Sequence, residues 1–233
     1  MPRSTALTGT PSEALEWDRA SGHLPFLWAL ADRADQLAAG VQKHVFQRPG
    51  TTVTYRGKVR VWRDRGWRGI LAAWLLRLGV PARTMFPETG ESVDFTMTHR
   101  VALEPSNAVS MTWQRSFDFG SVVRVFDATM LFLEGHAPIV DWLGAFDCLH
   151  VELHPTVQDG SIVVTSRREW LQLAFLRIPI PPVLQGRPYV RESEERDGDR
   201  RIHVEIHNCL LGLLFAYEGI YRRVPDDHAT PSP

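Results

Sequence analysis

The chain has 233 residues, 44% of them hydrophobic, and its 26 basic and 27 acidic side chains give a net charge of −1. The hydrophobic content supports a folded core and excludes wholesale disorder. The charge balance argues against a general nucleic-acid-binding protein, which usually carries a basic excess. We expect one domain at 21–224, with disordered tails at 1–20 and 225–233.

The two cysteines, Cys148 and Cys209, lie far apart and lack metal-binding spacing. A disulfide framework is therefore not indicated, and a reducing cytoplasm is the simplest setting. The first residues lack the apolar core of a secretory signal. The longest apolar run, ILAAWLL, falls far below the ~20 residues that a membrane-spanning helix needs. These features predict a soluble cytoplasmic protein without a membrane span.

The first predicted element is an N-terminal helix at 24–46, where Leu24, Leu27 and Leu30 recur at helical spacing. Polar and apolar residues then alternate at 51–64, which predicts a half-buried strand.

A second helix is predicted at 67–79, where the sequence reads WRGILAAWLLRLG. Gly79 and Pro81 mark its end. The segment is apolar nearly all round, which is typical of a helix buried on several sides. We therefore expect it to pack against the concave face of a curled sheet.

The rest of the chain reads mainly as strands, and Asp-Gly pairs at 159–160 and 197–198 predict hairpins. The proline-rich segment 171–186 is interpreted as a strand end followed by an extended crossing. The further strands are predicted at 92–103, 108–119, 121–134, 148–158, 161–169, 189–196, 200–208 and 213–224. The predicted fold is α+β: a large curled antiparallel sheet or partly open barrel of about nine strands around a buried helix, plus the N-terminal helix.

A His-x-Glu-x-His pattern occurs twice in the predicted strands, and on a strand its three polar residues share one face. Residues four apart on a strand are ~13 Å apart, so both histidines of one copy cannot bind the same zinc ion. We interpret the pattern as two solvated strand faces. A metal site completed by a neighbouring strand, or a pH-sensitive surface patch, remain alternatives. The two copies are His150, Glu152, His154 and His203, Glu205, His207.

Two polar residues interrupt strand faces that are otherwise apolar, namely Arg115 and His99. A buried arginine is unfavourable unless it meets an acid, carbonyl groups or a bound anion. Glu134, on the apolar face of its own strand, is the candidate acid. One interpretation is a structural Arg–Glu pair beside a core histidine. The other is a pocket for an apolar small molecule whose polar or acidic head is held by Arg115.

The predicted ligand-binding residues combine these polar anchors with aromatic side chains from the same faces and from the apolar helix. They are Arg115, His99, Trp113, Phe117, Phe95, Glu134, Tyr217 and Trp74.

The order of several motifs resembles the bacterial domain-of-unknown-function family 4166 (DUF4166) across about residues 24–224. The motifs are Leu24-Pro25, YRGKVRVW at 55–62, GVP at 79–81, Trp113-x-Arg115-x-Phe117, Glu134-Gly135, RIPIPPVL at 177–184 and LLGLLFAYEGIY at 210–221. The resemblance implies an unassigned activity and an accessory role, because such domains often follow short-chain or saccharopine-type dehydrogenase modules. Cys209 departs from the proline usual in the family, and the doubled histidine pattern is not a family feature.

The sequence favours a non-catalytic binding module for an apolar small molecule with an acidic or polar head. The alternatives are an interaction domain that uses exposed aromatics such as Trp62 and Trp67 on a dehydrogenase-type partner or a second copy, and an enzyme using His99 as acid or base. We find no nucleophile elbow, phosphate loop or zinc signature, and the lack of a G-x-G-x-x-G motif argues against an attached nucleotide module. We predict no cofactor, no metal and no catalytic residues.

Overall fold

The computed structural model describes residues 25–104, 109–131, 139–173 and 175–225. Most of the two predicted tails lies outside these ranges, so their disorder stays a prediction. The helices are α1 (Pro25–Leu30), a 3₁₀ helix (Ala31–Gln36), α2 (Ala39–Val45), α3 (Trp67–Gly79) and a short 3₁₀ helix (Arg196–Gly198). The strands are β1 (Thr52–Trp62), β2 (Gly90–Leu103), β3 (Val109–Asp118), β4 (Val123–Leu131), β5 (Ile139–Leu143), β6 (Leu149–Gln158), β7 (Ser161–Leu173), β8 (Leu176–Pro179), β9 (Arg187–Glu194), β10 (Arg200–Asn208) and β11 (Gly212–Arg223).

The eleven strands form one antiparallel sheet, and ten of them close into a barrel. Neighbours around the ring follow chain order from β1 to β7 and then β9, β10 and β11, which pairs back with β1. The ring closes because β7 pairs with β6 on one side and with β9 on the other. The β-rich class was predicted correctly, but the sheet is closed rather than partly open.

Two strands, β5 and β8, were not among the nine that the sequence predicted. β5 has five residues and pairs with β4 and β6; its brevity hides the alternation from sequence analysis. β8 has four residues and pairs with the last residues of β7, Trp170–Leu173. β9 pairs with the first part of the same edge, Ile162–Thr165. β8 and β9 therefore share this edge of β7, and the β7 residues between the two paired stretches have no described strand as partner on that side.

The two ends of the barrel differ. At the end we call the closed end, Ala38 donates a backbone hydrogen bond to Gly160 in the β6–β7 turn, so the N-terminal helices cover the barrel. At the opposite end, called the open end, lie α3, the turns before β6 and β11, and the segment 175–186 that carries β8. The backbone of Asp64 bonds to Leu213 at this end.

The N-terminal region is not the single helix that its spacing predicted. The 3₁₀ helix follows α1 directly. Leu37 and Ala38 are extended (ψ of 143° and 147°) and separate the 3₁₀ helix from α2. Tertiary contacts override the local preference, because Leu37 is buried and Ala38 bonds to Gly160. α2 then turns Val41, His44 and Val45 into the barrel.

Helix α3 has the predicted bounds, but it is not buried in the sheet. Only a narrow stripe of Gly69, Ala72 and Leu76 is buried, and its element contacts are chiefly with β11. The barrel interior is already filled by strand side chains and α2, so no space remains for α3. Within the described residues, no helix combines the length and apolar content that crossing a membrane would require.

Inward side chains alternate with outward ones along each strand, as for β3, where Val109, Met111, Trp113, Arg115 and Phe117 are all buried. At the β1–β11 seam the backbones approach closely. A Cβ on Gly57 or Gly219 would lie 2.1 Å from a carbonyl oxygen of the opposite strand, so this contact requires glycine.

Candidate functional site

A cavity of about 180 Å³ lies inside the barrel, towards the open end. Most of its lining is apolar and comes from both sides of the ring, including Phe126, Met130, Val151 and Val204. Leu184 lines the cavity and is 67% exposed, so the cavity reaches the surface beside the segment that follows β8. The polar side chains in the lining are Thr84, Arg115, Asp141, Glu169 and Tyr217, and Trp113 adds its indole N–H.

Arg115 projects from β3 into this cavity. Its guanidinium carbon lies 5.3 Å from the Trp113 ring centre and 4.8 Å from that of Phe126. Among the described residues it has no ion-pair partner within 4.0 Å, and Nε is buried without a hydrogen-bond partner. Two aromatic faces therefore hold the cation in place while its donors stay free. A buried cation whose donors lack partners is unfavourable unless an anion or another hydrogen-bond acceptor meets it.

Asp141, on β5, lines the cavity and is the candidate counter-charge for Arg115. Burial raises the pKa of its carboxyl to about 7, and the positive charge of Arg115 lowers it only in part. Its Oδ1 atom is buried and lacks a hydrogen-bond partner within the described part of the chain. Near neutral pH this carboxyl therefore takes or releases a proton easily, and it neutralises Arg115 incompletely.

Glu169 reaches the cavity because of a β-bulge. Leu153 pairs with Ser166 whereas Glu152 pairs with Arg168, so Arg167 is an extra residue in β7. The bulge shifts the alternation by one residue, and Glu169 rather than Arg168 points inward. Its Oε2 accepts a hydrogen bond from the Gly186 backbone N–H at 3.1 Å. Burial raises the pKa of Glu169 to about 7, with the Gly186 bond and Arg187 lowering it.

Two further donors in the lining also lack partners among the described groups, namely Trp113 Nε1 and the Tyr217 hydroxyl. Burial raises the pKa of Tyr217 to about 12, so it remains a neutral donor. Together with Arg115 they give three unsatisfied donors of three chemical kinds around one cavity. Buried donors of this kind are normally satisfied in native proteins.

A second polar cluster lies deeper, towards the closed end. His44 Nε2 and Glu192 Oε2 are 3.2 Å apart, but the angles are not those of a hydrogen bond and both atoms lack one among described groups. Burial, with the nearby His99, Arg200 and Arg115, lowers the pKa of His44 well below its usual range. Burial raises the pKa of Glu192 to about 7. Burial therefore favours the uncharged form of both side chains.

Arg200 completes this cluster in a manner unlike Arg115. Its Nε and Nη2 both donate to the Gly40 carbonyl oxygen, at 3.1 and 2.9 Å, and its guanidinium lies 5.1 Å from the Tyr55 ring centre. The Gly40 N–H donates to Glu194 at 2.9 Å. The closed-end cluster thus binds α2 to the barrel.

The structure places the eight predicted site residues in four different situations. Arg115, Trp113 and Tyr217 line the cavity. Phe95 and Phe117 are buried in the adjoining core and do not line it. Trp74 lies on the outer face of α3, 66% exposed, so its assignment to the pocket does not match its position. Glu134 falls outside the described residues, so its pairing with Arg115 stays a prediction.

His99 is fully buried against Trp113, with ring centres 5.5 Å apart, and against His44, at 5.0 Å. Burial, together with Arg200 and Arg115, lowers its pKa to about 3. Neither ring nitrogen has a partner among the described residues. A neutral imidazole outside the cavity lining has no access to a substrate there, so the geometry does not favour His99 as an acid or base.

Sequence reasoning missed Asp141, Glu169 and Glu192. Asp141 lies between Ile139 and Leu143 on an inward face, and Glu192 follows Val190 in the same way. Neither had a clear signal, because Asp141 lies in β5, which is too short for its alternation to be recognised, and Glu192 shares its strand face with Glu194 as well as Val190. Glu169 carried no such signal, because strict alternation along β7 would turn it outward.

The two His-x-Glu-x-His copies lie on the outer wall, on β6 and β10, with β7 and β9 between them. Around Glu205, the ring nitrogens of His203 and His207 lie at 3.3 and 2.9 Å. His150 departs from the expected solvated face. It is buried because its paired neighbours are Trp142 and Trp170, and its ring stacks on Trp142 at 5.0 Å. No group of three metal-binding side chains occurs in the ranges that the structure describes.

Comparison with known proteins gives two findings. The family model described as "Domain of unknown function (DUF4166)" matches residues 37–220. An uncharacterised protein of Bacillus subtilis (strain 168), YndH, is 36% identical over 154 residues, which cover 65% of this chain and 75% of that protein. The region matched by the family model includes α2, β1 to β10 and most of β11, and so the cavity residues Arg115, Asp141 and Glu169. The chain therefore belongs to the DUF4166 family.

Proposed function

We propose that this protein is a binding module whose barrel cavity takes a compact apolar molecule with a carboxylate or similar acceptor head. The observation that carries the proposal is the set of donors on Arg115, Trp113 and Tyr217 that have no partner among the described residues, around an otherwise apolar cavity. A carboxylate at Arg115 would supply the acceptor that no described residue provides there. The raised pKa of Asp141 fits this arrangement, because a protonated Asp141 donates to the head instead of repelling it.

The size of the cavity limits the ligand. Sites for drug-sized ligands span roughly 300–1,000 Å³, whereas a cavity of ~150 Å³ holds one benzene ring. At about 180 Å³, the cavity suits a small aromatic acid or a short-chain fatty acid. The shell of Phe126, Met130 and Leu143 offers apolar contact to the tail. A catalytic role has no comparable support, since no described nucleophile adjoins a base in the lining.

The first experiment is native mass spectrometry of protein purified from cells, followed by spectra under denaturing conditions. A released small acid supports the proposal and identifies the ligand class. Calorimetric titration with benzoate and with hexanoate, each compared with the matching primary alcohol, then measures the preference for a carboxylate. We expect the acids to bind at least about tenfold more tightly, since a charge-assisted bond contributes about 1.5–3 kcal/mol.

The matched variants are Arg115→Gln and Arg200→Gln, which each remove a guanidinium that is 7% exposed. Only Arg115 lines the cavity. Arg115→Gln should abolish the preference for acid over alcohol, whereas Arg200→Gln, measured well below its unfolding temperature, should retain it. Equal loss in both variants, or acids that never bind better than alcohols, would contradict the proposed head-group site.

A further inference from the structure

The outer face of α3 exposes an unusual amount of apolar surface. Six large apolar side chains of this 13-residue helix are 45–77% exposed. The helix reverses the usual order, because the small residues Gly69 and Ala72 face the barrel and the bulky ones face outward. Monomeric soluble proteins rarely expose contiguous apolar patches larger than a few hundred Å². The six residues are Trp67, Ile70, Leu71, Trp74, Leu75 and Leu78.

Other segments of the open end also carry exposed apolar side chains. Phe146 precedes β6, Phe175 and Leu184 flank β8, and Leu210 lies in the β10–β11 turn; all are 57–97% exposed. These segments are tied to one another. Asn208 donates to the Val183 carbonyl at 2.9 Å and the Leu213 N–H donates to Asp64, just before α3, at 2.9 Å. The apolar surface thus spans several loops around the cavity mouth rather than one groove.

The same end carries unpaired positive charge. Residues 60–77 contain five arginines and one aspartate, in a chain whose net charge is −1. Arg65, Arg68 and Arg77 are exposed and have no ion-pair partner among the described residues. Arg68 and Arg77 lie 5.4 and 5.5 Å from the ring centres of Trp67 and Trp74.

A surface groove of about 690 Å³ runs between α3 and the adjoining ends of β1 and β2. Four arginines and two carboxylates line it, and both carboxylates already have partners: Glu91 pairs with Arg60 at 3.0 Å and Asp64 accepts from Leu213. Arg63 donates to the Pro87 carbonyl. The groove therefore leaves Arg65 and Arg77 free to meet phosphate groups.

We propose that the open end docks on the surface of an anionic lipid bilayer, with the outer face of α3 in the headgroup region and Arg65, Arg68 and Arg77 on lipid phosphates. Tryptophan beside arginine is typical of residues at a membrane interface. At about 20 Å, a 13-residue helix is too short to cross a bilayer, so it would lie in the interface plane.

Charge distinguishes this occupant from a second copy of the chain. A twofold-symmetric contact through α3 would bring the same unpaired arginines together, and like charges in an interface repel. An anionic surface complements them. A fluid surface also suits apolar residues spread over several loops, since it needs no matching shape. Neither α3 nor Arg65 lines the cavity, so docking through them stands whether or not the cavity binds an acid.

The test is flotation of the full chain with vesicles of phosphatidylcholine alone and of phosphatidylcholine mixed with phosphatidylglycerol. We expect flotation with the anionic vesicles only, and its loss at high salt. Trp74→Ser should abolish it. Arg65→Gln combined with Arg77→Gln should weaken partition about 25-fold, since each arginine contributes about fivefold. Circular dichroism and thermal melting establish that each variant is folded.

The matched controls lie at the closed end. Leu103→Ser removes an apolar side chain that is 57% exposed, and Arg100→Gln removes an exposed arginine; both variants should float like the unaltered chain. Absence of flotation with anionic vesicles overturns the proposal. A dimer in sedimentation that Trp74→Ser dissociates, without vesicle binding, would assign α3 to a second copy. Equal flotation with neutral vesicles would remove the role of the arginines.

Discussion

Two buried arginines, each 7% exposed, show how the ends of the barrel differ. Arg200 at the closed end donates two hydrogen bonds to Gly40 and so attaches α2 to the barrel. Arg115, nearer the open end, is held among the described residues only by the rings of Trp113 and Phe126. The two side chains are buried to the same extent, but the donors of Arg200 have a hydrogen-bond acceptor and the buried Nε of Arg115 has none among the described residues. A satisfied buried charge indicates a structural role, whereas an unsatisfied one beside a cavity indicates a place for a ligand.

The same contrast applies to the surfaces of the two ends. At the closed end the helices turn their apolar residues inward, and Val41 and Val45 of α2 are fully or almost fully buried. At the open end α3 turns its large apolar residues outward. The closed end therefore buries its apolar side chains against the barrel, whereas the open end leaves them exposed, as the two proposals above require. Each prediction below tests one part of this distinction.

The largest effect is expected from Arg200→Met. It removes two charge-assisted hydrogen bonds and leaves the Gly40 carbonyl and Glu192 without the positive charge, so the free energy of unfolding should fall by about 3 kcal/mol or more. Urea denaturation measures this. Arg201→Met is the control, because Arg201 is the next residue of β10, exposed and paired with Glu195 at 2.6 Å, and should change stability by less than about 1 kcal/mol. Equal effects would refute a structural role for the closed-end cluster.

Two leucines on α3 separate its buried stripe from its exposed face. Leu76 is buried against the barrel and Leu78 is 77% exposed. Leu76→Ala should lower the free energy of unfolding by about 2–3 kcal/mol, and Leu78→Ala should change it by less than about 0.5 kcal/mol. Thermal and urea denaturation of both variants measure the difference. A large effect of Leu78→Ala would mean that the exposed face is covered in solution.

Asp141 should make stability fall with rising pH. Burial raises its folded-state pKa to about 7 from an ordinary 3.8, so between these values the folded state binds more protons than the unfolded state. The stability it contributes at low pH is therefore lost as the pH rises to about 7. In Asp141→Asn, the free energy of unfolding should therefore fall less steeply as the pH rises. Its slope should differ from that of the unaltered chain by about 1.4 kcal/mol per pH unit between about pH 5 and 7.

Urea titrations across that pH window test the Asp141 prediction. His99 acts in the opposite direction, since its lowered folded-state pKa removes stability as the pH falls below its ordinary 6.5. The comparison of variant with unaltered chain cancels this contribution. Asp94→Asn, an exposed control paired with Lys58 at 2.7 Å, should leave the slope unchanged. An unchanged slope in Asp141→Asn would show that the carboxyl is not held in an apolar site.

A small change in stability is expected at Arg115, the residue on which the proposed function depends most. Arg115→Met keeps the volume and the aromatic contacts but loses no hydrogen bond to a described residue, so the free energy of unfolding should stay within about 1 kcal/mol. Urea denaturation at neutral pH measures this. A loss of 3 kcal/mol or more would instead support a structural ion pair, and Glu134 would be the first partner to test.

The alternation of residues was enough to predict most of the barrel. The Asp-Gly pair located the hairpin at 159–160, where Asp159 and Gly160 both have positive φ, and the apolar run ended by Gly79 gave the bounds of α3. Alternation located nine of the strands. It also identified Arg115 as a polar residue on a buried face. It failed for β5 and β8, which are too short for a pattern, and for the environment of α3, because periodicity describes a segment and not the space left for it.

By itself, the sequence determined the antiparallel strands, their inward faces and the presence of a buried cation, because strand periodicity and the unfavourable burial of charge are local properties. Only the tertiary structure decided that the sheet closes, since closure depends on β7 pairing with both β6 and β9. It alone placed Asp141 and Glu169 in the lining of the cavity that Arg115 enters, through strand pairing and a one-residue bulge. It also left α3 outside the barrel, because the interior was already filled by side chains distant in sequence.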